Sequence, residues 1–152
     1  MNIAVCDDEE NIRIYIKKLI EMQDADCLIM EFSSAGELLQ FWQEEDREQI
    51  DILFLDISMD GTDGMEAAEQ IRKWKEERGE AVWGSLPFLI FVTGYPEYMP
   101  KAFTVNAFQY LVKPINVRMR TPAIPCLMSR GRRCTPRRQR SSHIWFGYPS
   151  PT

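Results

Sequence analysis

Along the first 116 residues, short apolar runs alternate with stretches in which apolar side chains recur every three or four positions. Residues 2–6 lead into Asp7 and Asp8, Ile52 to Leu55 into Asp56, Phe88 to Val92 into Thr93, and Tyr110 to Val112 into Lys113. Cys27 to Phe32 supplies a further strand-like run. Between these runs, Ile12, Tyr15, Ile16, Leu19 and Ile20 form one apolar stripe, which predicts a helix from about Glu9 to Met22. Ala35, Leu38, Leu39 and Trp42 predict a second helix capped by Ser33 or Ser34. Met65, Ala68, Ile71 and Trp74 predict a third, after the loop of residues 60–64. A fourth is expected near Glu97 to Val105, where Pro96 suits a first turn but Pro100 disturbs an interior. Strand three, residues 51–55, is apolar after its first residue, as a central strand covered on both faces should be.

Strand and helix alternating in this way imply a parallel α/β sheet with helices on both faces. The carboxyl ends of parallel strands share one edge, and ligands bind in the crevice outside it. Asp7, Asp8, Asp56, Thr93 and Lys113 therefore belong to one edge. After Ile115 the pattern stops. Five prolines interrupt residues 117–152, and the fifth helix needed to cover the sheet beside helix one is not supplied.

Charge divides the chain at the same place. Residues 117–152 hold eight arginines, no lysine and no acid, so the remaining ten basic and all 23 acidic residues give residues 1–116 a net charge of −13. Residues 1–116 read as one domain. Residues 117–152 read as an irregular Arg/Pro-rich tail and a non-native continuation, such as an out-of-frame reading would produce. The rival reading is a basic arm for nucleic acid, with Trp145, Phe146 and Tyr148 available to stack on bases. Cys6, Cys27, Cys126 and Cys134 lack paired C-x-x-C spacing and read as free thiols, and Cys126, Cys134 and His143 lack zinc-ligand spacing. No apolar run approaches the roughly 18 residues of a membrane span, and the start lacks the basic region of a signal peptide, so the expected location is cytoplasmic.

Three carboxylates, a hydroxyl and an ammonium at one sheet edge suit a divalent cation and a phosphoryl group. Two like charges about 4 Å apart repel by roughly 4 kcal/mol at an effective dielectric near 20, so converging carboxylates call for a cation. Singly, each residue has a plainer reading: an Asp pair favours a helix N-terminus, Thr93 ends a strand, Tyr110 is core, and Lys113 is surface. Their joint order and spacing favour the site.

With Gly64 eight residues after Asp56, Thr93-Gly94, and Tyr110 to Pro114, residues 1–115 resemble the receiver domain of a two-component response regulator, over about three quarters of the chain. Residues 91–95 and 107–115 further resemble the subgroup that carries a LytTR-type DNA-binding domain. The resemblance implies a flavodoxin-like, doubly wound five-stranded parallel sheet of order 2-1-3-4-5. It implies that Asp56 is the phosphoacceptor, attacking the phosphoryl group of a sensor histidine kinase, and that the domain catalyses only its own phosphorylation and dephosphorylation. Mg²⁺ would be held by Asp8, Asp56 and the backbone carbonyl of Ser58, with Asp7 acting mainly through water. Lys113 would pair with phosphoryl oxygens, and Thr93 with Tyr110 would form the switch, reshaping the face of helix four and strand five. That face is also the expected homodimer surface. The Lys113-Pro114 bond is usually cis in the family, while the residues themselves leave it open. The resemblance further implies control of transcription through a DNA-binding output domain, which does not fit within 152 residues, so DNA binding by this chain itself is not expected.

Three positions depart from the family pattern: Asp60 replaces a frequent proline, Gly94 replaces a frequent alanine, and Pro96 with Pro100 interrupts helix four. Two other classes compete. A haloacid-dehalogenase-type phosphatase would need a second acid two residues after Asp56, where Ser58 stands. An unphosphorylated interaction domain, or a truncated receiver that no longer functions, follows if the missing fifth helix leaves the fold too unstable to switch.

Overall fold

Residue parity explains why the central strands carry consecutive apolar residues. In the computed structural model, Ala4, Cys6, Leu53, Leu55, Leu89, Phe91 and Tyr110 face one buried cluster, while Ile3, Val5, Ile52, Phe54, Ile90, Val92 and Leu111 face a second on the other side. Successive strand residues point to opposite faces, so a sheet covered on both sides needs apolar residues at every position.

The structure describes residues 1–22, 26–44, 47–78, 86–115 and 145–147. In chain order these form β1 (Asn2–Cys6), α1 (Glu10–Glu21), β2 (Leu28–Phe32), α2 (Ala35–Gln43), β3 (Ile52–Leu55), α3 (Gly64–Arg78), β4 (Phe88–Thr93), a 3-10 turn (Pro96–Tyr98), α4 (Met99–Ala102), β5 (Gln109–Val112) and β6 (Trp145–Gly147). All strand pairs are parallel, and the order is β2-β1-β3-β4-β5-β6. The five expected strands thus stand in the expected order.

Beyond the five expected strands, β6 adds to the sheet at the β5 edge. Its backbone pairs with β5 in the register Gln109↔Trp145, Tyr110↔Phe146, Leu111↔Gly147. Three residues are too few for alternation to register, although two of them are aromatic strand formers. The expected absence of a fifth helix falls outside the described residues, as do Trp83, Cys126, Cys134 and His143.

α1 buries Ile16 and Ile20 against the second cluster, with Ile12 partly covered. α2 and α3 pack on the opposite face through Ala35, Leu38, Trp42, Met65, Ala68 and Ile71. Ser34 begins α2: its hydroxyl accepts from the Glu37 N–H at 3.2 Å, and Glu37 Oε2 accepts from the Ser33 N–H at 2.7 Å. Each bond satisfies an N–H group near the helix start, one of them left unpaired by the helix itself. Asp63 serves α3 similarly, its Oδ1 accepting from the Glu66 N–H at 2.8 Å.

The single helix expected from Glu97 to Val105 is instead a 3-10 turn followed by one α turn. Pro100 explains the break: within a continuous helix it would remove a hydrogen bond, whereas here it sits in the first turn of α4, where no donor is required. The chain leaves α4 through Asn106 at φ 51°, and the Ala107 N–H reaches back to the Ala102 carbonyl at 3.1 Å. Asparagine is among the few residues that enter this left-handed region readily. No helix among the described residues is long and apolar enough to cross a membrane.

Candidate functional site

Register delivers the polar strand ends side by side. Cys6 pairs with Leu55, so the next residues, Asp7 and Asp56, emerge together, and the Asp56 N–H donates to the Cys6 carbonyl at 2.9 Å. Thr93 pairs with Val112, and the Lys113 N–H donates to the Thr93 carbonyl at 2.8 Å. The Lys113-Pro114 bond is cis.

Asp7, Asp8 and Asp56 bring one carboxylate oxygen each within 4.8 Å of one another, a set able to hold a metal ion. Asp7 and Asp56 are buried, at 1% and 4% exposure, while Asp8 faces solvent. The Lys113 ammonium stands among carboxylates: 2.9 Å from Asp56 Oδ2, 2.8 Å from Glu9 Oε1 and 3.0 Å from Asp7 Oδ2. The contacts to Asp56 and Glu9 are hydrogen bonds. The approach to Asp7 is an ion pair lying off the hydrogen-bond direction, so Asp7 Oδ2 is buried without a hydrogen-bond donor among the described residues. Asp7 Oδ1 accepts from the Glu9 N–H at 2.9 Å, and Asp56 Oδ1 from the Ser58 N–H at 3.2 Å. The Ser58 peptide thereby lies against the Asp56 carboxylate.

Burial raises the Asp7 pKa, and the nearby Lys113 ammonium and the Glu9 N–H only partly offset it. Burial also acts to lower the Lys113 pKa, but its hydrogen bonds to Glu9 and Asp56 and its ion pair with Asp7 more than reverse this, so the ammonium is held charged. A hard cation suits this donor set: the oxygens are carboxylates, two of the acids are buried, and one oxygen has no donor among the described residues.

Thr93 is fully buried, and its hydroxyl has no hydrogen-bond partner among the described residues. Tyr110 lies inward at 1% exposure, beside the Phe91 ring, with its hydroxyl donating to the Tyr95 carbonyl at 2.5 Å. Desolvation, followed by the charges of Glu97 and Asp56, pushes its phenol up to about 12. The Tyr110 hydroxyl therefore ties β5 to the loop that follows β4.

Gly64 gains a physical reason it lacked as a sequence anchor. A Cβ built there would lie 1.8 Å from the Asp56 carbonyl oxygen, and the Gly64 N–H donates to the Ile57 carbonyl at 2.8 Å. At Gly94 a Cβ would meet nothing within 4 Å among the described residues, whose packing imposes no glycine there. Two contributors escaped the sequence reading. Glu9 is one, for which the acidic run beginning at Asp7 was the available signal. Arg13 is the other: its Nη1 donates to the carbonyls of Asp7 at 2.7 Å and Asp8 at 3.3 Å, securing the loop that carries both acids. Nothing in its helical spacing distinguishes it from a solvated arginine.

The family model described as the response regulator receiver domain matches residues 3–123. An uncharacterized response regulatory protein of Yersinia pestis is 31% identical over 116 residues, covering 76% of this chain and 43% of that protein. Sensory transduction protein LytR of Streptococcus mutans is 32% identical over 118 residues, covering 75% of this chain and 43% of its own length. The chain thus spans less than half the length of these relatives. Among solved structures, the response regulatory domain of protein MrkE from Klebsiella pneumoniae aligns with a TM-score of 0.71 at 25% identity, covering 85% of this chain and 96% of that one. Response regulator TrrA from Thermotoga maritima, solved in complex with Mg²⁺ and beryllofluoride, aligns with a TM-score of 0.62 at 29% identity, covering 83% and 97%.

Proposed function

Since the chain belongs to the response regulator receiver domain family, we propose that it is a phosphorelay switch that accepts a phosphoryl group on Asp56 from a sensor histidine kinase. The observation that carries this reading is the Lys113 ammonium held 2.9 Å from Asp56 Oδ2, beside three carboxylates gathered within 4.8 Å. Phosphoryl transfer requires little covalent help and much positioning and charge neutralisation, and this arrangement offers both.

In the transfer, an Asp56 carboxylate oxygen bonds to phosphorus while the bond from phosphorus to the histidine nitrogen breaks, the electron pair leaving with the imidazole. The Ser58 N–H holds Asp56 Oδ1, which fixes the plane of the nucleophile. Lys113 offers its ammonium to the arriving oxygens as a compact charge. Asp8, Asp56 and the Ser58 carbonyl would hold Mg²⁺, with Asp7 acting mainly through water, and the ion would supply charge neutralisation at the phosphoryl group. Mg²⁺ is also the ion named in the TrrA complex.

Thr93 reads the new charge. Its buried hydroxyl, partnerless among the described residues, gains phosphoryl oxygens to donate to, and Tyr110 repacks in the space beside it. Tyr95, whose carbonyl accepts the Tyr110 hydroxyl, carries the change to the surface of the 3-10 turn, α4 and β5, which is also the face for homodimerisation. The output is control of transcription through a DNA-binding domain working with this receiver in the cytoplasm.

Mg²⁺-dependent labelling of the full chain by acetyl phosphate or a kinase tests the reading. Labelling should disappear in Asp56→Asn; a variant that labels as well as the parent overturns it.

A further inference from the structure

Resting on the phosphoacceptor reading, we infer that Glu9 gates the site, occupying the Lys113 ammonium until a phosphoryl donor displaces it. Glu9 begins α1, its carbonyl accepting from the N–H groups of Ile12 and Arg13. The short side chains of Ser, Thr, Asp and Asn cap the first helical N–H groups from such a position. Glu9 makes no such cap bond. Its Oε1 instead crosses to Lys113 Nζ at 2.8 Å, while its own N–H is anchored to Asp7 Oδ1 at 2.9 Å.

The three carboxylates around the ammonium differ in their freedom to leave. Asp7 and Asp56 are almost wholly buried, whereas the Glu9 side chain is 61% exposed and stands outside the metal-binding set. Glu9 is thus the partner that yields. Before it yields, it competes for the cation that the phosphoryl oxygens need, and its negative charge repels an anionic donor at the mouth of the site. Entry and Lys113 engagement become one event.

Acetyl phosphate is a suitable probe because it needs no protein partner. An Asp56 carboxylate oxygen forms a bond to phosphorus as the phosphorus bond to acetate breaks, and acetate departs with the electron pair. Initial rates of Asp56 labelling would be measured on the full chain for the parent, Glu9→Gln and Glu10→Gln. The last alters the net charge equally, at a neighbouring side chain with no Lys113 contact among the described residues. Glu9→Gln should raise the second-order rate about threefold to tenfold at low salt, the order expected for removing one unit charge beside a wet site. The gain should lie mainly in a lower apparent KM and shrink near 1 M salt, where the screening length is about 3 Å. Glu10→Gln should stay near the parent. Equal gains in both variants, an unchanged or slower Glu9→Gln, or a gain indifferent to salt would overturn the gate. A parent that does not label at all overturns the phosphoacceptor reading itself, and the gate with it.

Discussion

Replacing Lys113 with methionine removes the ammonium while keeping most of the volume of the side chain. In the parent, Lys113 neutralises Asp7 and Asp56 at 3.0 Å and 2.9 Å, and it is only 14% exposed. Without it, two buried carboxylates face each other within 4.8 Å, a repulsion of about 3.5 kcal/mol at an effective dielectric near 20. Breaking a buried pair by deleting one partner costs about 3–5 kcal/mol in general, so a loss of about 3 kcal/mol at pH 7.5 without divalent ions is expected. Proton uptake provides relief. Burial already raises the Asp7 pKa, and losing Lys113 raises it further. A raised folded-state pKa means that the protonated form adds stability below the unfolded pKa, and that this stability is lost as pH rises through the folded value. The deficit of Lys113→Met against the parent should therefore be small at pH 4.5 and grow towards pH 7.5. Millimolar Mg²⁺ should shrink it again by replacing the missing charge. Urea unfolding followed by circular dichroism, at both pH values with and without Mg²⁺, measures all of this. A deficit below about 1 kcal/mol at pH 7.5, or one indifferent to both pH and Mg²⁺, would refute the charge argument.

Gly64→Ala should cost at least the roughly 1–3 kcal/mol typical of overpacking, because its Cβ would sit 1.8 Å from the Asp56 carbonyl oxygen and must move backbone; an unchanged urea midpoint would contradict this. Ser34→Ala should cost about 1 kcal/mol by removing the acceptor for the Glu37 N–H, read in the same unfolding assay, and Ser34→Asn should restore most of it. Tyr110 and Cys6 are both pushed up to about 12, from 10.0 and 9.0, mainly by desolvation. The stability they contribute is whole below those ordinary values and is lost as pH climbs towards 12, so absorbance titration of the folded protein should show a late tyrosine step missing in Tyr110→Phe. Cys6 should react with Ellman's reagent only on unfolding; rapid labelling of Cys6 in the native state at pH 8 would contradict its burial.

How far the molecule was legible in its sequence depends on whether a feature belongs to one segment or to the meeting of several. Where an apolar run ends is a local property, so Asp7, Asp56, Thr93 and Lys113 could be assigned to strand ends before any contact was known. The uniform apolarity of residues 52–55 likewise announced a strand buried on both faces, because each parity serves a different cluster. The break at Pro100 was local too, but its result was not: a proline forbids a continuous helix without choosing the turn that replaces it. Gly64 illustrates the opposite limit, since the atom that forbids its Cβ is the carbonyl of Asp56, brought against it by the loop between β3 and α3. Partner choice lies furthest from sequence. Asp8, Glu9 and Glu10 are consecutive acids with similar pattern value, yet Glu9 alone of the three reaches Lys113, 104 residues away, and turns from its own helix to do so. The groups able to hold a phosphoryl charge can thus be read from strand ends, whereas the control of their access depends on which side chain occupies the ammonium first.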